Sequence, residues 1–231
     1  MPRIRIEFAK GEQVRFLSHL DLMKTFERAI RRAQLPIAFS EGFNPHPKMN
    51  FASALAVGVT SDREYLDIVL KNGLELQDVA GRLGVAMPSG IDIKEGKLVP
   101  DETPALMASV NRAEYVVCAT MDGIFETGEL NEKLAGFMNE NEIMVVKRTK
   151  KGPVLKNIRP VILNVTGKVE GENLQFDILT AISNEGSVRP EEVISGFKDY
   201  SGLPLDCDNL KVKRTALFIA KDGRMLSPMD V

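Results

Sequence analysis

Residues 3–9 alternate apolar and charged side chains, with Ile4, Ile6 and Phe8 on one side, which is the period of a half-buried strand. The period then changes. From Ser18 onward the apolar positions Leu22, Met23, Phe26, Ala29, Ile30 and Ala33 recur at helical spacing. Ser18-His19-Leu20-Asp21 approximates a capping box, because a hydroxyl at the N-cap and a carboxylate three residues on can satisfy the helix's first free N–H groups. The helix should stop before Pro36, whose ring disfavours helical backbone in the residue ahead of it. Residues 49–57 and 64–70 read as strands around a turn at 58–63, Leu76, Val79, Ala80 and Leu83 as a short amphipathic helix, and Ile91 and Ile93 as the opening of another strand.

After Val99 the polar, proline-bracketed stretch Pro100-Asp101-Glu102-Thr103-Pro104 reads as a linker or crossing loop. A similar order of elements follows. Residues 113–121 are strand-like, and Leu130, Leu134, Phe137 and Met138 mark a helix. Residues 142–147, 157–168 and 173–181 are strand candidates, Pro190 occupies a first helical position, and a strand from Leu210 to Ala220 closes the pattern. The expected class is α+β, with two tandem ferredoxin-like βαββαβ domains built on antiparallel sheets, over 1–99 and 110–231, the second with an extra strand. No residue-level repeat links the two halves, and such a fold by itself names no function.

Composition narrows the classes. The 231 residues are 44% hydrophobic and 27% charged, proportions that suit a globular chain rather than a disordered one. No apolar run approaches the roughly 18 residues that span a bilayer, and residues 1–8 alternate instead of forming a signal peptide's apolar stretch, so a cytoplasmic protein without membrane contact is expected. Cys118 and Cys207 stand far apart and in no CxxC pattern, which disfavours a disulfide framework, a zinc ribbon or an iron–sulfur site. The net charge of −2 conceals an uneven distribution: residues 1–50 carry nine Lys or Arg against five Asp or Glu, residues 60–145 seven against sixteen, and residues 145–168 seven basic side chains and no acid. Two basic segments in an acidic protein can hold a polyanion if the fold uses them, although charged runs are also ordinary loop surface.

Both histidines lie in the first fifty residues, His19 at the start of the first helix and His46 within Ser40-Glu41-Gly42-Phe43-Asn44-Pro45-His46-Pro47-Lys48. Prolines on both sides restrict the backbone around His46, and Phe43 offers a flat face on which a base can stack. On the polar side of the first helix Lys24, Arg28, Arg31 and Arg32 form a basic stripe suited to phosphates, although Glu27 at i, i+4 from Arg31 also suits plain surface pairing. Arg159 and the run Lys147, Arg148, Lys150 and Lys151 are further candidates for backbone contact, and Asn44, His46 and Lys48 for a base or a partner. A catalytic reading instead pairs His46 with His19 as acid and base in metal-independent RNA cleavage, oriented by Asp21 or Glu41. A His19, Asp21 and His46 metal site is disfavoured because residues two apart on a helix do not face each other. The common nucleotide, metalloprotease and hydrolase motifs are missing, and no cofactor is expected.

The words Arg15-Phe16-Leu17-Ser18-His19-Leu20-Asp21, Arg28-Ala29-Ile30-Arg31-Arg32-Ala33, Ser40 to Pro47, and Gly58-Val59-Thr60-Ser61 with Glu64-Tyr65 together resemble the radical SAM-linked bacterial proteins, a domain of unknown function. Asn157-Ile158-Arg159-Pro160 and Val188-Arg189-Pro190-Glu191-Glu192 extend the resemblance more loosely. It implies a partner rather than a reaction, since members are typically encoded beside or fused to a cobalamin-type radical SAM protein. The chain has no C-x-x-x-C-x-x-C triad, so radical chemistry would belong to that companion. Three roles follow: a non-catalytic RNA-binding or substrate-presenting partner, in a setting such as RNA modification; a metal-independent RNA-processing enzyme using the histidines; or a protein adaptor that docks through the Ser40 to Lys48 loop.

Overall fold

The computed structural model describes residues 1–72, 74–121, 126–149, 152–182 and 187–231. They form an α+β protein with five helices, in two compact units: residues 1–111 with 216–231, and residues 112–215.

In the first unit the order is β1 (Arg3–Lys10), α1 (His19–Arg32), β2 (Met49–Phe51), β3 (Thr60–Val69), α2 (Leu76–Ala86), β4 (Ile91–Val99) and the short α3 (Leu106–Ser109). β1 lies between β3 and β4, β2 pairs with the far side of β3, and each of these pairings is antiparallel. Alternation along β1 sends Ile4, Ile6 and Phe8 toward the helices, where Leu22, Phe26, Ala29 and Ile30 of α1 close the core. Phe26 meets Phe8 and Phe51 edge to face, with ring centroids 4.8 and 5.4 Å apart. The helix begins as its sequence implies: the Ser18 hydroxyl accepts from the Asp21 N–H at 3.2 Å and donates to the Asp21 carboxylate at 2.6 Å. It ends at Ala33, after which Gln34 takes a left-handed φ of 53° and Pro36 follows.

The opposite face of β1 is polar yet buried. Arg5 lies across from Asp67 on β3 and Lys97 on β4, and Glu7 across from Tyr65 and Glu95. Residues 227–231 are bonded to this face: Pro228 C=O accepts from Arg5 at 2.6 Å, Met229 C=O accepts from Lys97 at 2.7 Å, and the Ser227 and Tyr65 hydroxyls are 3.4 Å apart. Residues 216–231, which include these bonded positions, belong to the first unit.

The second unit holds β5 (Arg112–Thr120), α4 (Thr127–Asn139), β6 (Met144–Thr149), β7 (Gly152–Asn157), β8 (Ile162–Glu170), β9 (Asn173–Ala181) and α5 (Pro190–Ser201). Its sheet runs β5-β9-β8, again antiparallel, while β6 and β7 form a separate hairpin. Strand β10 (Lys211–Lys221) begins in this unit and ends in the first, where β11 (Arg224–Leu226) pairs with it. Phe137 of α4, Phe176 of β9 and Phe197 of α5 form the aromatic centre of the core. Two expected strands differ. The stretch 157–168 is interrupted by a turn of 3-10 helix at Arg159–Val161, where Pro160 lacks an N–H to donate to a ladder. The stretch 49–57 pairs only over 49–51.

Candidate functional site

The segment between β1 and α1 is held by a buried lysine. Lys10 is only 1% exposed, and its ammonium donates to the carbonyls of Arg15 at 2.8 Å, Leu17 at 3.1 Å and Val59 at 3.3 Å. Three carbonyl dipoles compensate a charge that burial would otherwise penalise heavily. The Gly58 N–H also donates to Arg15 C=O at 2.9 Å, so residues 15–18 are fixed where α1 starts. His19, the first residue of that helix, packs edge to face on Phe51 with centroids 5.3 Å apart. Asp21 is occupied by the Ser18 cap.

The Ser40 to Lys48 loop has its own closure. Ser40 N–H donates to His46 C=O at 2.8 Å, His46 N–H donates to the Ser40 hydroxyl at 3.0 Å, and Phe39 bridges Pro47. Gly42 at the tip has φ of +120°, a conformation that L side chains rarely adopt. Phe43 beside it is fully solvent-exposed, and Glu41, Asn44, His46 and Lys48 are exposed as well. A fully exposed aromatic on a closed loop has apolar area to gain from a partner.

The loop lies against the second half of α1. His46 shares a cavity of about 450 Å³ with Glu27 and Arg31 of that helix, with Phe39, and with Lys71 just beyond β3. His19 lies eight residues before Glu27, which at 1.5 Å per residue is roughly 12 Å along the helix axis. The structure therefore puts the two histidines at different stations, His19 on Phe51 and His46 beside Glu27 and Arg31, rather than in one acid–base pair.

Lys24, Arg28 and Arg31 are exposed at positions i, i+4 and i+7, hence on one face of α1. Arg32 is not part of that free face. Its guanidinium donates to Ala86 C=O at the end of α2, at 2.5 Å. Arg159 is likewise committed, giving hydrogen bonds to Met138 C=O at 2.8 and 3.1 Å and to Ile162 C=O at 2.9 Å, where it satisfies a carbonyl in the last turn of α4. Lys147 is exposed on β6 and Arg148 follows it on the same strand; the Arg148 side chain, Lys150 and Lys151 lie outside the described residues. The sequence did not mark Glu27, Phe39 and Lys71 as site candidates: Phe39 and Lys71 are brought near each other by long-range pairing such as Ile37↔Leu70 and the hydrogen bond from Lys71 N–H to Pro36 C=O, 2.7 Å, and Glu27 joins them from α1.

Among the described residues no group of His, Cys, Asp and Glu is arranged to hold a metal ion, and no helix is long and apolar enough to cross a membrane. Cys118 and Cys207 are free and half-buried, and burial pushes the Cys207 thiol pKa up.

These observations define an α+β protein with a cationic helix face beside a small cavity and a hydrogen-bond-closed loop that exposes Phe43. Residues 3–190 match the family described as an uncharacterized protein conserved in bacteria (DUF2344), and the chain belongs to that family. No curated protein matches it. Similar solved structures include a Cbf5–Nop10–Gar1 complex, with a TM-score of 0.49 at 13% identity over 96% of this chain and 50% of that one. An archaeal box H/ACA sRNP Nop10–Cbf5 complex follows with a TM-score of 0.45 at 9% identity, over 92% of this chain and 46% of that one. An unknown protein from Galdieria sulphuraria gives a TM-score of 0.27 at 8% identity, over 92% of this chain and 98% of that one. The chain spans about half the length of the first two. At such scores and identities these likenesses decide nothing about function.

Proposed function

We propose that this protein is a non-catalytic RNA-binding partner that presents substrate to a cobalamin-type radical SAM enzyme, in RNA modification. The observation that carries the RNA half is the exposed face of Lys24, Arg28 and Arg31, which runs along α1 toward the loop bearing Phe43 and His46. Cations at helical spacing can follow a phosphate backbone, and an exposed aromatic on a stiff loop can stack with a base at little entropic cost. The companion enters through the resemblance of the Arg15 to Asp21 and Ser40 to Pro47 words to radical SAM-linked proteins. Both units are read as ferredoxin-like, a frame that leaves α1 and its neighbouring loop open to a large ligand. Arg32 and Arg159 are assigned structural roles, and Lys147 remains a second-unit candidate for phosphate contact.

The test is a fluorescence-anisotropy titration of labelled tRNA and rRNA fragments at low and physiological salt, with a DNA duplex as control. Saturable, RNA-preferring binding that survives physiological salt supports the proposal. Equal, salt-sensitive binding to any polyanion refutes it. A protein-adaptor role is the second reading, and the exposed apolar side chains of Phe16 and Leu20 at the entrance to α1 favour it. Co-purification with the radical SAM protein that is lost on Phe16→Ser with Leu20→Ser, without any RNA affinity, would select it.

A further inference from the structure

The cavity beside His46 has a chemical character more specific than a phosphate-tracking surface. Its floor is apolar, made by Ile30, Leu35 and Ile37, all less than 8% exposed. Phe39 stands on its wall, 44% exposed, with the Lys71 ammonium 6.0 Å from its ring centroid. Arg31 provides a second cation, Glu27 the carboxylate, and His46 a planar ring held between Pro45 and Pro47. The volume, about 450 Å³, falls within the range of roughly 300–1,000 Å³ typical of small-ligand sites.

We infer that this cavity takes a single 5′-nucleotide. A ligand that uses all of these groups needs a flat ring for Phe39 and the apolar floor, an anion for Arg31 and Lys71, and an N–H donor for Glu27. A nucleoside monophosphate unit supplies the three together: the base stacks, its ring or exocyclic N–H groups donate to the carboxylate, and the phosphate meets the two cations. Inorganic phosphate satisfies only the cations. The walls are preformed, because the bonds between Ser40 and His46 close the loop and the Lys71 N–H is tied to Pro36 C=O, so little ordering is needed on binding. The same chemistry arrives in two ways, as a free nucleotide or as a nucleotide turned out of an RNA chain. The second source rests on the RNA-presenting role proposed above, and it places that nucleotide at the end of the cationic face formed by Lys24 and Arg28.

The experiment is backbone NMR shift mapping of the full chain with 5′-AMP, 5′-CMP, 5′-GMP, 5′-UMP and inorganic phosphate, repeated with a short single-stranded RNA. The expected result is saturable shifts at Arg31, Phe39, His46 and Lys71 with at least one mononucleotide, and none of comparable affinity with phosphate. Phe39→Leu and Lys71→Gln should each weaken that mononucleotide about tenfold, the loss of one stacking or charge contact, while the spectrum remains that of the folded protein. Lys71 is an exposed side chain, so its variant keeps the test informative if Phe39→Leu unfolds. Competition by the RNA for the same shifts assigns the cavity to a nucleotide within RNA. A mononucleotide that binds without such competition keeps the cavity assignment and counts against the RNA-presenting role. No mononucleotide shifts, or equal shifts with phosphate alone, overturn the inference; RNA binding lost on Lys24→Ala with Arg28→Ala would then leave the RNA role standing without it.

Discussion

Arg5 and Asp67 face each other across β1 and β3 in a two-pronged ion pair, Nε to Oδ1 at 2.7 Å and Nη2 to Oδ2 at 3.0 Å, with both side chains almost wholly removed from water. Arg5 also donates to Pro228 C=O, so one guanidinium joins the sheet to residues 227–231. Breaking such a pair from one side strands a buried charge. Asp67→Leu should therefore cost about 3–5 kcal/mol in urea denaturation, and Arg5→Leu with Asp67→Leu much less. Equal losses in the single and double variants would show that the ion pair is not what the sheet depends on.

On the same face, burial raises the Tyr65 pKa from 10.0 to about 12, with the Ser227 hydroxyl acting in the opposite direction. The folded protein thus holds the phenol proton more tightly than the unfolded chain does. This contribution to stability is fully present below pH 10 and is lost as pH rises from 10 toward 12. Thermal melts between pH 8 and 11.5 should show a steeper decline for the natural protein than for Tyr65→Phe. Parallel declines would exclude Tyr65 as the source.

Lys10 anchors the entrance to α1 through three carbonyls. Lys10→Met keeps the aliphatic bulk but removes the ammonium that donates to them. A loss of at least about 1.5–3 kcal/mol is expected, the usual worth of one hydrogen bond to a charged group. Amide hydrogen exchange should accelerate at Leu17 and Gly58, whose N–H groups are bonded within this segment. Unchanged exchange there would mean that the segment is held by other contacts.

Much of α1 was legible because local chemistry specifies it: a hydroxyl and a carboxylate three residues apart at its start, apolar residues at helical spacing, and Pro36 beyond its end. The element order of the first unit followed from the same kind of signal. What could not be read were relationships set by strand pairing. Arg5 and Glu7 alternate with apolar residues and look like a wetted strand face, yet both are buried, and residues 227–231, more than two hundred positions away, are bonded to Arg5. Likewise the basic stripe on α1 was visible as four exposed residues, but only tertiary contacts show that the Arg32 guanidinium is bonded to Ala86 C=O. The His46 loop was legible as a stiff element and its cavity was not, since Lys71 reaches it through the pairing Ile37↔Leu70.

The most direct test of the RNA-presenting account is the salt dependence of RNA affinity for the natural protein and for Lys24→Ala with Arg28→Ala. Both side chains are exposed and outside the core, so the variant should keep its fold. If the α1 face follows the phosphate backbone, the double variant should bind single-stranded RNA more weakly and lower the slope of log K against log salt by about 1.4, two contacts' worth. An unchanged affinity and slope would contradict the account, because the cationic face would then not touch RNA.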